Sequence, residues 1–165
     1  LVNSNFSELT EAVQAEQRRW YEHTFDSLDR DPRTRAVIVG THHPPYTNSR
    51  VVSASKQVRN TFVPRFRTSR KALLFVTGHA HAIEHFREGG KDFLVIGGGG
   101  GLLQPLRTGQ GQQWIDQSPF HSERRPFHWM RCRLLKDTLR VTIRGRLPNR
   151  PGVAPVYRFG IPLPR

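Results

Sequence analysis

Two imidazoles one residue apart, His79 and His81, stand in Gly78-His-Ala-His81 directly after the apolar run Ala72-Leu-Leu-Phe-Val-Thr77. In an extended segment alternate side chains share a face, so the two rings would be presented together. Paired ring nitrogens at a strand end are poor core material and good ligands for a borderline metal ion. An isolated H-x-H is a weak signal. A second imidazole pair strengthens it: His42-His43 follows another apolar run, Ala36-Val-Ile-Val-Gly-Thr41, and leads into Pro44-Pro45-Tyr46.

The elements that must position these rings are legible from pattern. Both apolar runs read as strands covered on their two faces. The Pro-Pro loop after His43 cannot be helical. A helix is expected over 10–28, capped by Thr10, with Glu8 and Glu11 near its positive end. Leu9, Val13, Trp20, Tyr21, Phe25 and Leu28 would form its packing stripe. Residues 1–3 read as the tail of a strand. A second helix is expected over 55–66, disturbed by Pro64. Residues 83–87 and 92–96 form a hairpin across Glu88-Gly-Gly-Lys91, and five glycines follow at 97–101. The stretch 102–126 lacks periodicity and reads as a long loop. A second hairpin joins 127–135 to 138–147, and a last strand candidate covers 156–161 within a proline-rich tail, 148–165. Strand–helix–strand–helix–strand followed by antiparallel strands is an α/β sandwich pattern, with both histidine loops leaving C-terminal strand ends, where open α/β sheets place their sites.

At 165 residues the chain has the length of one domain with a real core. Its net charge of +13 is carried mainly by arginine, the lysines being only Lys56, Lys71, Lys91 and Lys136. Such a balance favours anionic partners. The densest places are 59–71, Arg18-Arg19 and Arg124-Arg125; elsewhere the arginines read as scattered over solvated faces. Cys132 is the only cysteine, which rules out an internal disulfide. No apolar run is long enough to span a bilayer. The first residue is Leu1 and the only methionine is Met130, so the chain reads as a processed or excised piece.

Val39-Gly-Thr-His42 and Gly78-His-Ala-His81 resemble the last two motifs of the calcineurin-like metallophosphoesterases, in a spelling close to the purple acid phosphatase variety. His42-His43-Pro44 matches the family's H-x-P turn, and Tyr46-Thr-Asn-Ser49 resembles what often follows it. Ala82-Ile-Glu-His85, the glycines at 97–101, and Asn3-Ser with Gln17-x-x-Trp20 are similar to neighbouring family segments. The resemblance covers roughly residues 1–147. It implies a single partial domain, the C-terminal half of a four-layer α/β/β/α sandwich. It also implies phosphomonoester or phosphodiester hydrolysis by a metal-bound hydroxide, with two ions (Fe, Zn or Mn) about 3.5–4 Å apart clamping a phosphorylated substrate. His42 and His79 would bind one ion and His81 the other.

The family's D-x-H (or D-x-G), G-D-x-x-[DY] and G-N-H-[DE] motifs do not occur in the sequence. The family places them upstream, so the expectation is of a missing N-terminal half that supplies the remaining ligands, this chain being inactive alone. A non-catalytic binding or regulatory domain of the same fold is the first alternative. A basic nucleic-acid-binding module is the second, with no groove-reading motif to support it. His43, Tyr46 and Asn48 are candidate substrate contacts, although turn formation alone accounts for Asn48. Glu84 and His85 are expected to orient the loop. The glycine run, lacking a G-x-x-x-x-G-K-[ST] pattern, reads as backbone clearance. Trp20, Phe25, Phe75 and Trp129 are core candidates, Trp114 a candidate flank of the substrate. His23, His121 and His128 read as ordinary residues and Cys132 as inert.

Overall fold

The computed structural model describes residues 1–147 and 151–164; of the proline-rich tail, 148–150 and 165 lie outside the described residues. Helix α1 (Glu11–Arg30) is followed by β1 (Val37–Thr41), two short helices α2 (Lys56–Thr61) and α3 (Val63–Thr68), and β2 (Ala72–Thr77). The hairpin β3 (Ile83–Glu88) and β4 (Lys91–Ile96) completes a four-stranded sheet of order β1-β2-β4-β3. Strands β1, β2 and β4 are mutually parallel neighbours, and β3 runs antiparallel to β4. A second, antiparallel sheet contains β5 (His128–Leu134), β6 (Thr138–Gly145) and β7 (Ala154–Pro162).

Alternation along β2 and β4 explains the layering. Phe75 and Phe93 point to the helices, where Phe66 meets both edge-on at 5.3 and 5.4 Å and the pair stacks at 5.6 Å. Tyr21, Phe25 and Phe62 join this cluster from the helical layer. Leu74 and Leu94 point the other way and meet Leu139, Val141 and Ile161 of the second sheet. Each fully buried side chain of this kind contributes about 1.5–3 kcal/mol. The described residues thus build helices, sheet and sheet; no fourth layer occurs among them.

Several expectations are corrected here. The helix expected over 55–66 is two helices, because Pro64 enters the first turn of α3 and cannot donate to a continuing ladder. Residues 1–3 are not a strand, although the Val2 N–H does bond the Gly40 carbonyl at 3.0 Å. In α1 the inward line runs through half-buried Gln14, Gln17 and Leu28 and buried Tyr21 and Phe25, while Val13 and Trp20 are 45% and 52% exposed. The two glutamines take the inward places because their amides bond backbone: Gln14 reaches the Phe6 and Leu9 carbonyls, and Gln17 clamps Asn3 on both sides. Trp129, expected in the core, lies 43% exposed on the outer face of β5.

Two local features place the histidine loops. His79 is the one described non-glycine residue in the left-handed region, at φ +61°. Such a backbone costs a residue with a Cβ roughly 1–2 kcal/mol. Glu84, fully buried in β3, accepts hydrogen bonds from the Thr47 hydroxyl and the Asn48 N–H, and so ties the loop after His43 to the sheet. Burial pushes the Glu84 carboxyl up from 4.5 to about 7, against the downward pull of Thr47 and Asn48.

Both features have measurable consequences. His79→Gly should unfold at higher urea than His79→Ala, by about 1 kcal/mol, because only glycine adopts this backbone freely. Equal midpoints would mean the turn relaxes. For Glu84, the folded state holds the proton more tightly than the unfolded chain does. Its contribution is therefore complete below pH 4.5 and is lost as pH rises through about 7, on the order of 3 kcal/mol in all. In Glu84→Gln, urea midpoints should lose this fall across the same window.

Candidate functional site

The parallel pairing of β1 and β2 brings Thr41 opposite Thr77, so the two strands end level. The loops leaving them touch at once: the Gly78 N–H donates to the His42 carbonyl at 3.0 Å. Above this bond the His42 Nε2 and His79 Nδ1 atoms lie 3.0 Å apart. The His43 ring closes the group, 4.9 Å from His42 and 4.5 Å from His79 between centroids. One ligand nitrogen from each of the three falls within 4.8 Å of the others. Tetrahedral zinc with bonds of about 2.0–2.1 Å sets its donors roughly 3.3 Å apart, so the His42–His79 spacing fits a shared ion.

The charge state suits ligation. Desolvation, with the neighbouring His43, His42 and His81 rings, holds the His79 imidazole below its ordinary value; desolvation and His42 do the same to His43. Neutral rings keep the lone pairs that a metal needs. Two ring nitrogens facing each other at 3.0 Å must either share one proton or point both lone pairs at a cation.

His81 stands outside the three-ring group. Its Nδ1 lies 2.9 Å from the Leu102 carbonyl, which can accept only an N–H and therefore fixes the proton on Nδ1. Nε2 is the nitrogen left outside that bond, and metal-ligating histidines commonly hold the other ring N–H on a carbonyl in this way. Gly101 is needed here, because a Cβ at that position would come within 2.5 Å of the His81 ring. At Gly97 a Cβ would reach 2.0 Å from the Ala80 carbonyl. The glycine run gives the histidine turn room to approach.

Ser4, which the sequence places in a family-like segment without giving it a role, organises the first loop. Its hydroxyl accepts the N–H groups of His42 and His43 at 3.2 and 3.0 Å and lies 3.0 Å from His43 Nδ1. Ser4 lies far from His42 along the chain; the clamp of Gln17 on Asn3 and the Val2–Gly40 backbone bond bring it there.

Two candidate substrate contacts point elsewhere. The Tyr46 ring is buried against Phe93 and Trp114, and its hydroxyl accepts from Arg67 at 3.1 Å. Asn48 is buried too: its Oδ1 accepts from Gln113 and Trp114, and its Nδ2 donates to the Trp114 carbonyl. Both fasten the long loop to the sheet instead of facing an opening. Trp114 is likewise packed into the helix-side core.

Asp116 completes that fastening, accepting from the His85 and Ser118 N–H groups and pairing with the buried Arg125 at 3.1 Å. His85 bridges the sheets, with Nε2 2.8 Å from Asp92 and Nδ1 2.8 Å from the Tyr157 hydroxyl. His128, expected to be ordinary, accepts the Gly98 N–H at 3.2 Å and anchors the glycine run from the second sheet.

No family model matches the sequence, and no curated protein matches it. Among solved structures, GAP50, the anchor in the inner membrane complex of Plasmodium, superposes with a TM-score of 0.72 at 14% identity. That match covers 98% of this chain and 46% of GAP50. A dimetal phosphatase from Danio rerio superposes with a TM-score of 0.52 at 16% identity, covering 89% of this chain and 37% of the phosphatase. The chain thus spans less than half the length of either structure. What it shares with them is the fold, a mixed α/β architecture of two sheets and flanking helices.

Proposed function

We propose that these residues form the C-terminal half of a dinuclear metal-dependent phosphoesterase, in which His42 and His79 hold one ion and His81 the other. The observation that carries the reading is the 3.0 Å approach of His42 Nε2 to His79 Nδ1 at the level ends of two parallel strands. His81, set apart with its Nδ1 held at the Leu102 carbonyl, supports its assignment to a second ion. His43 adds a third nitrogen to the first group. When bound, ions of the Zn, Fe or Mn class would supply Lewis acidity toward a phosphoryl oxygen and an activated water.

The chain's own residues do the positioning. Ser4 and the Gly78–His42 bond fix the two loops relative to each other, so the rings meet without a further ordering cost. The histidine cluster contains no carboxylate. A bridging aspartate and the remaining ligands are therefore assigned to the other half of a four-layer α/β/β/α sandwich, and this chain alone would not turn over a phosphorylated substrate.

One observation favours a second reading, that of a non-catalytic domain which keeps the fold. The likeness to GAP50, an anchor, has a TM-score of 0.72 against 0.52 for the phosphatase. Metal binding separates the two. The protein should take up Co(II), read by its visible absorption, and His42→Ala or His79→Ala should each weaken uptake by at least about tenfold. His81→Ala should leave that first site within about threefold, since its ring lies outside the three-histidine group. Absence of uptake, or uptake indifferent to His42 and His79, would leave the non-catalytic reading standing.

A further inference from the structure

Strand alternation divides the second sheet into two unlike faces. Inward go Leu139, Val141 and Ile161, which cover the first sheet. Outward go Arg131 and Arg133 from β5, Arg140 and Arg144 from β6, and Arg158 from β7, around a shallow depression floored by Thr138, Thr142 and Gly160. Across 128–164 the only acidic residue is Asp137, which sits in the β5–β6 turn against the Thr138 hydroxyl. None of the five arginines has a carboxylate partner among the described residues.

Folding does not call for this arrangement. Arg133 stands directly opposite Arg140 in the ladder, and like charges in that relation destabilise a sheet. A helical layer supplied by the other half of the sandwich could cover this face only by bringing carboxylates to the guanidiniums. Trp129 is the one aromatic ring that strand alternation turns outward there, since Phe159, which also lines the depression, stacks inward on His85; two guanidiniums lie over the Trp129 ring, Arg131 at 5.6 Å and Arg144 at 5.8 Å.

We propose that this face binds single-stranded nucleic acid, with a base stacked on Trp129 and the phosphates held by the arginines. Arg131 and Arg133 project about 6.8 Å apart along one strand, and neighbouring strands add rows about 4.8 Å away. The result is a flat grid of planar forks suited to a run of phosphates. A basic sheet face carrying an exposed aromatic ring is the physical basis of sequence-tolerant single-strand binding. An acidic lipid surface fits less well, because Trp129 is the face's sole large apolar ring and it is already flanked by charge. The site is on a different sheet from the histidine cluster and does not depend on it.

The test is fluorescence anisotropy of labelled dodecauridylate and dodecathymidylate over about 50–200 mM salt, where each phosphate contact should contribute roughly −0.7 to the log–log slope. In Arg131→Gln/Arg140→Gln the slope should become shallower by about 1.4. Trp129→Ala should weaken binding about tenfold with the slope unchanged. Arg18→Gln/Arg19→Gln, on helix α1 beyond the other sheet, should change neither. All of these side chains are at least partly exposed, so circular dichroism should match the parent. Affinity that is the same for both oligonucleotides assigns the phosphate and base stack as the ligand, and preference for uridylate adds the 2′-hydroxyl; both support the proposal. A slope unaltered in the double arginine variant overturns it. So does capture by phosphatidylserine vesicles without oligonucleotide binding, which would give the face to a membrane.

Discussion

The level pairing of β1 with β2 is the constraint on which the site rests. Five register pairs end at Thr41 opposite Thr77, and His42 and His79, one and two residues beyond, carry imidazoles within reach of each other. A slip of one residue would turn Phe75 from the helices toward the second sheet and carry His79 away from His42. The aromatic cluster of Phe66, Phe75 and Phe93 resists such a slip. Core packing and ligand geometry are therefore set by the same alternation. The left-handed backbone at His79 is the local consequence, since the chain must turn sharply where the strand stops.

Beyond the strand ends the site depends on buried polar groups more than on regular structure. Ser4, Glu84, Asn48 and Asp116 each satisfy two or more backbone or side-chain partners in loops that lack ladders of their own. In a low-dielectric interior such bonds are strong when complete and costly when broken, so they give irregular segments a definite shape. This is why the stretch 102–126, featureless by periodicity, is nonetheless folded against the sheet. It also explains the fate of Tyr46 and Asn48. The residues that resemble substrate contacts in sequence are the ones recruited to hold the loop down.

What could be read from sequence follows from how local each signal is. Strand ends carrying His42 and His79, the Thr10 cap, both hairpins and the clearance role of Gly97 and Gly101 all lie in short stretches with strong patterns. Ser4 could not be found that way, since its partners are 38 and 39 residues distant and it looks like any turn serine. In α1 an apolar stripe was drawn through Val13 and Trp20, whereas the inward line uses Gln14 and Gln17. Two inward glutamines with backbone partners break the usual equation of apolar with buried.

The arginines on the second sheet are gathered by a similar effect. Spread along the sequence they look scattered, yet period-two spacing in β5 and period-four spacing in β6 collect them on one face. The inner positions of the second sheet are bound by the need to cover Leu74 and Leu94. Its outer positions carry no such obligation, and ordinary solvation would be met by mixed charges. Instead one sign is concentrated there, with Arg133 held against Arg140 at a cost to the ladder. Where packing leaves a position free and the residue chosen opposes stability, a ligand of the opposite charge is the source we propose for that choice.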